Sequence, residues 1–291
     1  MMKTALNIFL LAIAMFSFVF ASQAQNDSTL LYEVNKEGDR SFYLFGTVHL
    51  LPQEDFYLGQ NAKKALSESD VLVLELDISN PSMQMKIMQL AVMSEGDSIQ
   101  AYLSKDQCAQ LNTMLLEAAG IPLAMVQNMK PFIISTFLMS NFMGEEPASF
   151  EFSLLELAKG DSIPIVGLET VDEQMAVFDS IPYSEQAEGL IEMIEEEQEM
   201  DDLFQEVVEA YKKGDVADLY LLLNENMDSE EELYFLLEKR NKSWLKRIEE
   251  IVTDKTAFIA VGAGHLGGDT GLLKLLKRDG YSVESLPDRS K

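Results

Sequence analysis

The chain contains two histidines, and both complete one pattern: an apolar strand, a glycine, two further residues, then the imidazole. One is Phe42-Tyr-Leu-Phe-Gly-Thr-Val-His49; the other is Ala257-Phe-Ile-Ala-Val-Gly-Ala-Gly-His265. Open α/β sheets place their ligands beyond the carboxyl ends of strands, so both rings stand where chemistry is expected. Neutral imidazole suits zinc, manganese, iron or cobalt, and a carboxylate completes many sites that keep one coordination position open. Glu75, near the end of Asp70-Val-Leu-Val-Leu-Glu-Leu-Asp77, is placed to supply it. Side chains alternate along a strand, which puts Val71, Val73, Glu75 and Asp77 on one face and Leu72, Leu74 and Leu76 on the other. An acid on an apolar wall is costly to bury unpaired, which favours a site, although a Lys or Arg partner also accounts for it. Asp77 is a fallback ligand. A divalent ion shared by His49, Glu75 and His265 would lower the pKa of a bound water and polarise a carbonyl.

These three residues are distant in sequence and no zincin helix motif joins them, so the site requires strand ends to converge. Taken singly, each histidine has a structural alternative, a ring nitrogen bonded to backbone at a strand end; the matched pair favours function. Arg240-Asn241 can donate to a substrate carboxylate or a developing oxyanion, and pairing of the arginine with neighbouring acids is the competing role. Gly262-x-Gly264-x-x-Gly267 has the spacing of a dinucleotide fingerprint, but too little chain follows for a second βαβ unit. Glycines that turn the backbone beside a site fit better. There is no Gly-x-Ser-x-Gly elbow, and Cys108 falls in a helix with no histidine near it in sequence, which disfavours nucleophilic serine or cysteine catalysis.

The elements that must position these residues follow from periodicity. Leu30–Val34 and Ser41–Phe45 predict a hairpin around Asn35-Lys-Glu-Gly-Asp. A helix over about 56–68, the strand 70–77, and a strand over 162–169 ending in Gly167-Leu-Glu169 come next. Between them lie methionine-rich helical segments over 82–93, 105–119 and 131–142, best read as adaptable core and alternatively as a peptide groove. A further helix covers 153–159. Residues 183–250 read as a large helical insertion or cap, with a polar break over 224–232. Its acidic block, 192–202, is interleaved with Ile191, Ile194, Leu203 and Val207, which indicates an amphipathic helix rather than an acidic tail. The buried strand before His265, the helix after Gly271 and a last strand near Tyr281 close the order. The expected fold is α/β: a central mixed sheet flanked by helices.

Lys3, the apolar run Leu6–Phe20 and Ser22-Gln-Ala24 read as a secretory signal peptide over 1–24; the run is about 15 residues, short of the ~20 a spanning helix needs. Residues 25–291 are expected to form a single soluble domain, periplasmic or secreted, with no membrane span. One cysteine leaves no internal disulfide framework. A formal charge of −27 disfavours nucleic acid and anionic membranes as partners and is accounted for by solubility.

Phe45-Gly-Thr-Val-His-Leu-Leu-Pro52, Ser69–Asp77, Pro164-Ile-Val-Gly-Leu-Glu-Thr170, Glu238-Lys-Arg-Asn241 and Val261–Gly271 together resemble the TraB/GumN family, to which the animal Tiki proteins are related. The resemblance covers nearly all of the chain beyond the leader. It implies a mixed α/β core of two related halves, each giving one Gly-x-x-His. For the Tiki branch it implies divalent-metal-dependent proteolysis using both histidines and the second-strand glutamate, here His49, His265 and Glu75, with Arg240 and Asn241 matching an arginine–asparagine pair. Glu169 lies in a family block without an assigned role. Distant relatives include erythromycin esterase-like hydrolases and a haem-binding lipoprotein group. The leading expectation is a metal-dependent peptidase (manganese, cobalt or zinc) acting on a peptide or protein. The alternatives are a haem- or protein-binding module using the same groove, and a metal-independent His/Glu hydrolase.

Overall fold

The computed structural model describes residues 29–139, 147–227 and 230–287. Residues 1–24, read above as a signal peptide, lie outside these, as do residues 140–142 of the third methionine-rich segment. A six-stranded sheet runs in the order β6-β4-β7-β2-β1-β8: β6 (Ile165–Gly167), β4 (Val71–Leu74), β7 (Ala257–Gly262), β2 (Phe42–Thr47), β1 (Leu31–Asn35) and β8 (Ser282–Ser285). The first four are mutually parallel, so their carboxyl ends share one edge. The hairpin partner β1 and the last strand β8 pair antiparallel at the far side. The mixed α/β expectation holds.

Both faces of the sheet are covered, which is why β4 and β7 read as unbroken apolar runs. Leu72, Leu74, Phe258 and Ala260 pack into one layer with helices α1 (Gln60–Ser67), α3 (Lys105–Ala119), α5 (Pro131–Leu138), α6 (Phe150–Gly160), α8 (Tyr183–Glu195), α9 (Glu197–Lys213) and α10 (Val216–Asn226). Val71, Val73, Ala257, Ile259 and Val261 face the other layer, with Trp244, Ile248 and Val252 of α12 (Lys239–Val252) and Leu272 and Leu276 of α13 (Leu272–Arg278). The alternation read from 71–74 is the observed one.

Several boundaries differ from expectation. β4 stops at Leu74, so Glu75 and Asp77 lie in the loop beyond it. Asp77 accepts the Ser79 N–H at 3.1 Å and its hydroxyl at 2.5 Å, the geometry of a local turn. Helix α2 (Pro81–Leu90) buries no residue fully: Met83 packs half-buried against the Phe132 cluster, whereas Met85 and Met88 are exposed and are not core. α4 (Leu123–Val126) and α7 (Val171–Asp179) were not expected, nor was the two-residue ribbon of β3 (Leu51–Pro52) with β5 (Pro147–Ala148). The acidic block is helical, with Ile191, Leu203 and Val207 buried. The helical run continues through α10, and a short helix α11 (Glu230–Leu233) leads into a π-helical turn over Tyr234–Glu238 just before Arg240. π-turns of this kind recur at functional sites.

Candidate active site

β7 lies between β4 and β2, and its register sets Thr47 beside Gly262 and Leu74 beside Ala260. His49 and Glu75 therefore leave the sheet on either side of the strand that leads to His265. Past Gly262 the chain makes a single tight turn, Ala263–His265, which explains the spacing of the second Gly-x-x-His: one turn folds the imidazole back over the strand end. Gly46 of the first motif meets that turn. A Cβ there would stand 2.8 Å from Leu266 Cδ1 and 3.1 Å from Ala263 Cβ, so no larger residue fits unless the turn moves.

His265 is buried, and Asn241 fixes its tautomer. The imidazole Nδ1–H donates to Asn241 Oδ1 at 2.7 Å, while Asn241 Nδ2 donates to the His265 and Thr270 carbonyls at 3.2 and 2.9 Å. Nε2 thus carries the lone pair and accepts from Arg240 Nη1 at 3.0 Å. Burial, then the neighbouring guanidinium, lower the His265 pKa to about 3, so the ring is neutral. Trp244 packs against it, ring centroids 4.4 Å apart.

Arg240 joins two carboxylates. Its Nη2 donates to Glu75 Oε2 at 2.5 Å and to Glu169 Oε1 at 2.6 Å, and its Nε to Glu169 Oε2 at 3.1 Å. The side chains of Arg240, Glu75 and Glu169 are 10 %, 11 % and 4 % exposed, a degree of burial at which unpaired charge is very costly. Glu169 also accepts from Trp244 Nε1 at 3.2 Å and Gln174 Nε2 at 3.0 Å, and Glu75 from the Gly262 N–H at 2.8 Å. Burial works to raise both carboxyl pKa values. At Glu75 the Arg240 charge, together with the two histidines and the Gly262 N–H, outweighs it and holds the group far below the usual range. At Glu169 burial prevails and the pKa is raised.

His49 stands apart. Its ring is 59 % exposed and bonds through Nδ1 to Glu151 Oε1 at 3.1 Å. Thr47 and Ser149 hydroxyls donate to the same carboxylate. Lost hydration lowers the His49 pKa, but Glu151 outweighs this and raises it to about 9. His49, Glu75, Gln174 and Arg240 line one pocket of about 330 Å³; His265 and Asn241 are buried behind the arginine.

Sequence reasoning thus named four members of one cluster (Glu75, His265, Arg240 and Asn241) and the histidine at its mouth. It missed Glu151, Gln174 and Trp244, and gave Glu169 no role. Thr170-x-x-Glu173, a capping box that starts α7, is the one local signal that would have placed Gln174 on a helix beside the site.

The neutral Nε2 of His265 and the ionised Glu75 have the donor chemistry of a divalent-ion site. As arranged, they do not fit one. Nε2 lies 3.9 Å from Glu75 Oε1, but the guanidinium fills their meeting point, and His49 is turned to Glu151. Among the described residues, no three His, Cys, Asp or Glu side chains gather closely enough to hold a metal.

The TraB/PrgY/gumN family model matches residues 30–285. The chain belongs to that family. Among its curated relatives are the metalloprotease TIKI1 of Danio rerio, 21 % identical over 86 % of this chain and 62 % of the relative, and human metalloprotease TIKI1, 22 % identical over 86 % and 60 %. Metalloprotease TIKI2 of Xenopus tropicalis is 22 % identical over 84 % and 58 %. The chain therefore spans only about three fifths of these relatives' length. No solved structure matches it significantly. The two Gly-x-x-His segments of this chain begin at the ends of β2 and β7, neighbouring parallel strands at the centre of the site.

Proposed function

We propose that this TraB/PrgY/gumN chain is a hydrolase that cleaves peptide bonds at the Glu75–Arg240 end of the pocket. One observation carries the reading: a buried arginine, clamped by two carboxylates and a neutral histidine, presents itself with Glu75 into a cavity whose mouth holds His49. Preorganised donors in a poorly hydrated site stabilise developing oxyanions strongly, which gives Arg240 the carbonyl oxygen of the substrate. A guanidinium drawn to that oxygen loosens its pair with Glu75, and the carboxylate gains the basicity to take a proton from water. His49, kept protonated at neutral pH by Glu151, is the acid for the leaving amine. His265, Asn241 and Glu169 position the arginine.

Incubating the purified chain with a peptide mixture and sequencing the products by mass spectrometry tests this. Cleavage is expected, with Glu75→Gln slowing it at least ~100-fold. No cleavage of any peptide, or equal cleavage by the variant, overturns the reading. The names of the relatives and the 3.9 Å approach of His265 Nε2 to Glu75 favour a second reading, in which Arg240 vacates that point for manganese, cobalt or zinc held by His265, Glu75 and His49. Equilibrium dialysis decides it: tight binding lost in His265→Ala selects the metal, and none selects the arginine. No helix among the described residues is long and apolar enough to cross a membrane. The leader-like Leu6–Phe20 is what supports a periplasmic or secreted site of action, tested by whether the exported protein begins at Gln25.

A further inference from the structure

The pocket has two unlike ends. Its ionisable lining, His49, Glu75 and Arg240, lies at one end with Gln174. The rest is a chamber walled by Ile87 of α2, Phe132, Ile133 and Thr136 of α5, and Met175 and Phe178 of α7. Two hydroxyls on that wall are already committed. Ser135 donates to Phe132 O at 2.6 Å and Thr136 to Ile133 O at 2.7 Å, so each spends its one O–H on its own helix. Phe132 and Phe178 stack face to face, centroids 4.0 Å apart and 6° from parallel, which ties α5 to α7 across this wall.

We propose that this chamber is the recognition pocket for one bulky apolar side chain of an extended peptide, leucine to phenylalanine in size, beside the bond that lies at Arg240. Three features choose that occupant. The whole pocket, its polar end included, is about 330 Å³, at the small end of the ~300–1,000 Å³ of ligand sites, so the chamber's share suits one large side chain rather than several. Beyond the Ser135 and Thr136 oxygens, which can still accept, this wall is carbon, so burying a polar substituent against it carries most of the desolvation cost. The polar end sits where the adjoining peptide group needs donors and an acceptor, which a simple acyl chain would leave unused. Where the substrate lies depends on the hydrolase reading; the selectivity of the chamber does not depend on turnover.

The test is a binding measurement for that reason. Trp244 is the chain's single tryptophan and lies 4.8 Å from the Arg240 guanidinium, so its emission reports occupancy of the site. Titration with N-acetyl-phenylalanine amide, N-acetyl-alanine amide and decanoate is expected to show the phenylalanine compound binding at least ~10-fold tighter than the alanine one, the discrimination an apolar pocket of this kind gives. Thr136→Phe, at an exposed position of α5 that projects into the chamber, is expected to bring phenylalanine binding down to the alanine level. Ile133→Ala, which enlarges the chamber, is expected to favour a naphthylalanine amide over phenylalanine. Equal affinities for the two amides, tighter binding of decanoate, or unchanged phenylalanine binding in a folded Thr136→Phe protein would overturn the proposal. Selective binding without hydrolysis of any peptide would leave it standing and remove the catalytic reading instead.

Discussion

At the scale of single residues, the cluster depends on Arg240. Two buried carboxylates share its charge, and removing one partner of a buried pair leaves the others uncompensated. Arg240→Ala is expected to lower unfolding free energy by about 3–5 kcal/mol, measured by urea denaturation. A loss within experimental error would show that Glu75 and Glu169 are hydrated, contrary to their burial. The two histidines give opposite pH signatures. His265 has its pKa lowered from 6.5 to about 3, so below 6.5 the unfolded chain takes up a proton that the folded ring refuses. Its contribution is whole above 6.5 and is lost as pH falls toward 3. His49 is raised from 6.5 to about 9, and its contribution is whole below 6.5 and lost as pH rises through 9. Denaturation curves across this range are expected to show a shallower acid limb in His265→Gln and a shallower alkaline limb in His49→Gln. Exchange of the two signatures would mean that the rings are assigned the wrong environments.

At the scale of elements, strand ends do the positioning, and their spacing tolerates little. A Cβ on Gly167 would lie 2.9 Å from the Asp77 backbone nitrogen and 3.1 Å from the Glu169 carbonyl oxygen. Gly167→Ala therefore pushes the loop carrying Glu75 away from the one carrying Glu169. A cost of about 1–3 kcal/mol is expected, as for other overpacked sites, with a red shift of Trp244 emission as Glu169 retreats from its indole. An unchanged melting temperature and spectrum would show that the loop has room to give. This dependence also explains what the sequence disclosed. β7 and β4 were legible because burial on both faces leaves a continuous apolar run that a turn must end, and the Gly-x-x-His spacing marks that turn. α7 was not, since Val171 and Met175 are its only fully buried residues, too narrow a stripe to show a period. The roles of Glu169 and Glu151 were hidden for another reason: their partners, Arg240 and His49, lie 71 and 102 residues away, and nothing local records such pairings. The π-turn before Arg240 has no sequence period of its own.

For the whole molecule, a formal charge of −27 sets the background against which any ion effect is read. Like charges spread over helical faces repel, and salt screens them. Raising ionic strength from about 0.01 M to about 0.1 M shortens the Debye length from ~30 to ~10 Å, so the melting temperature should rise although no specific ion is bound. Divalent cations screen a polyanion still more effectively, and manganese will therefore stabilise this chain even if the arginine-centred reading is correct. The informative comparison holds ionic strength fixed and exchanges magnesium for manganese, in the parent chain and in His265→Ala. Diffuse screening barely distinguishes the two ions, whereas imidazole at a first-row site prefers manganese to magnesium. With Arg240 occupying the junction of His265 and Glu75, equal melting temperatures in the two salts are expected for both proteins. A manganese-specific rise in the parent chain that vanishes in His265→Ala would show that the guanidinium gives way to a metal, and would return the site to the chemistry named for its relatives.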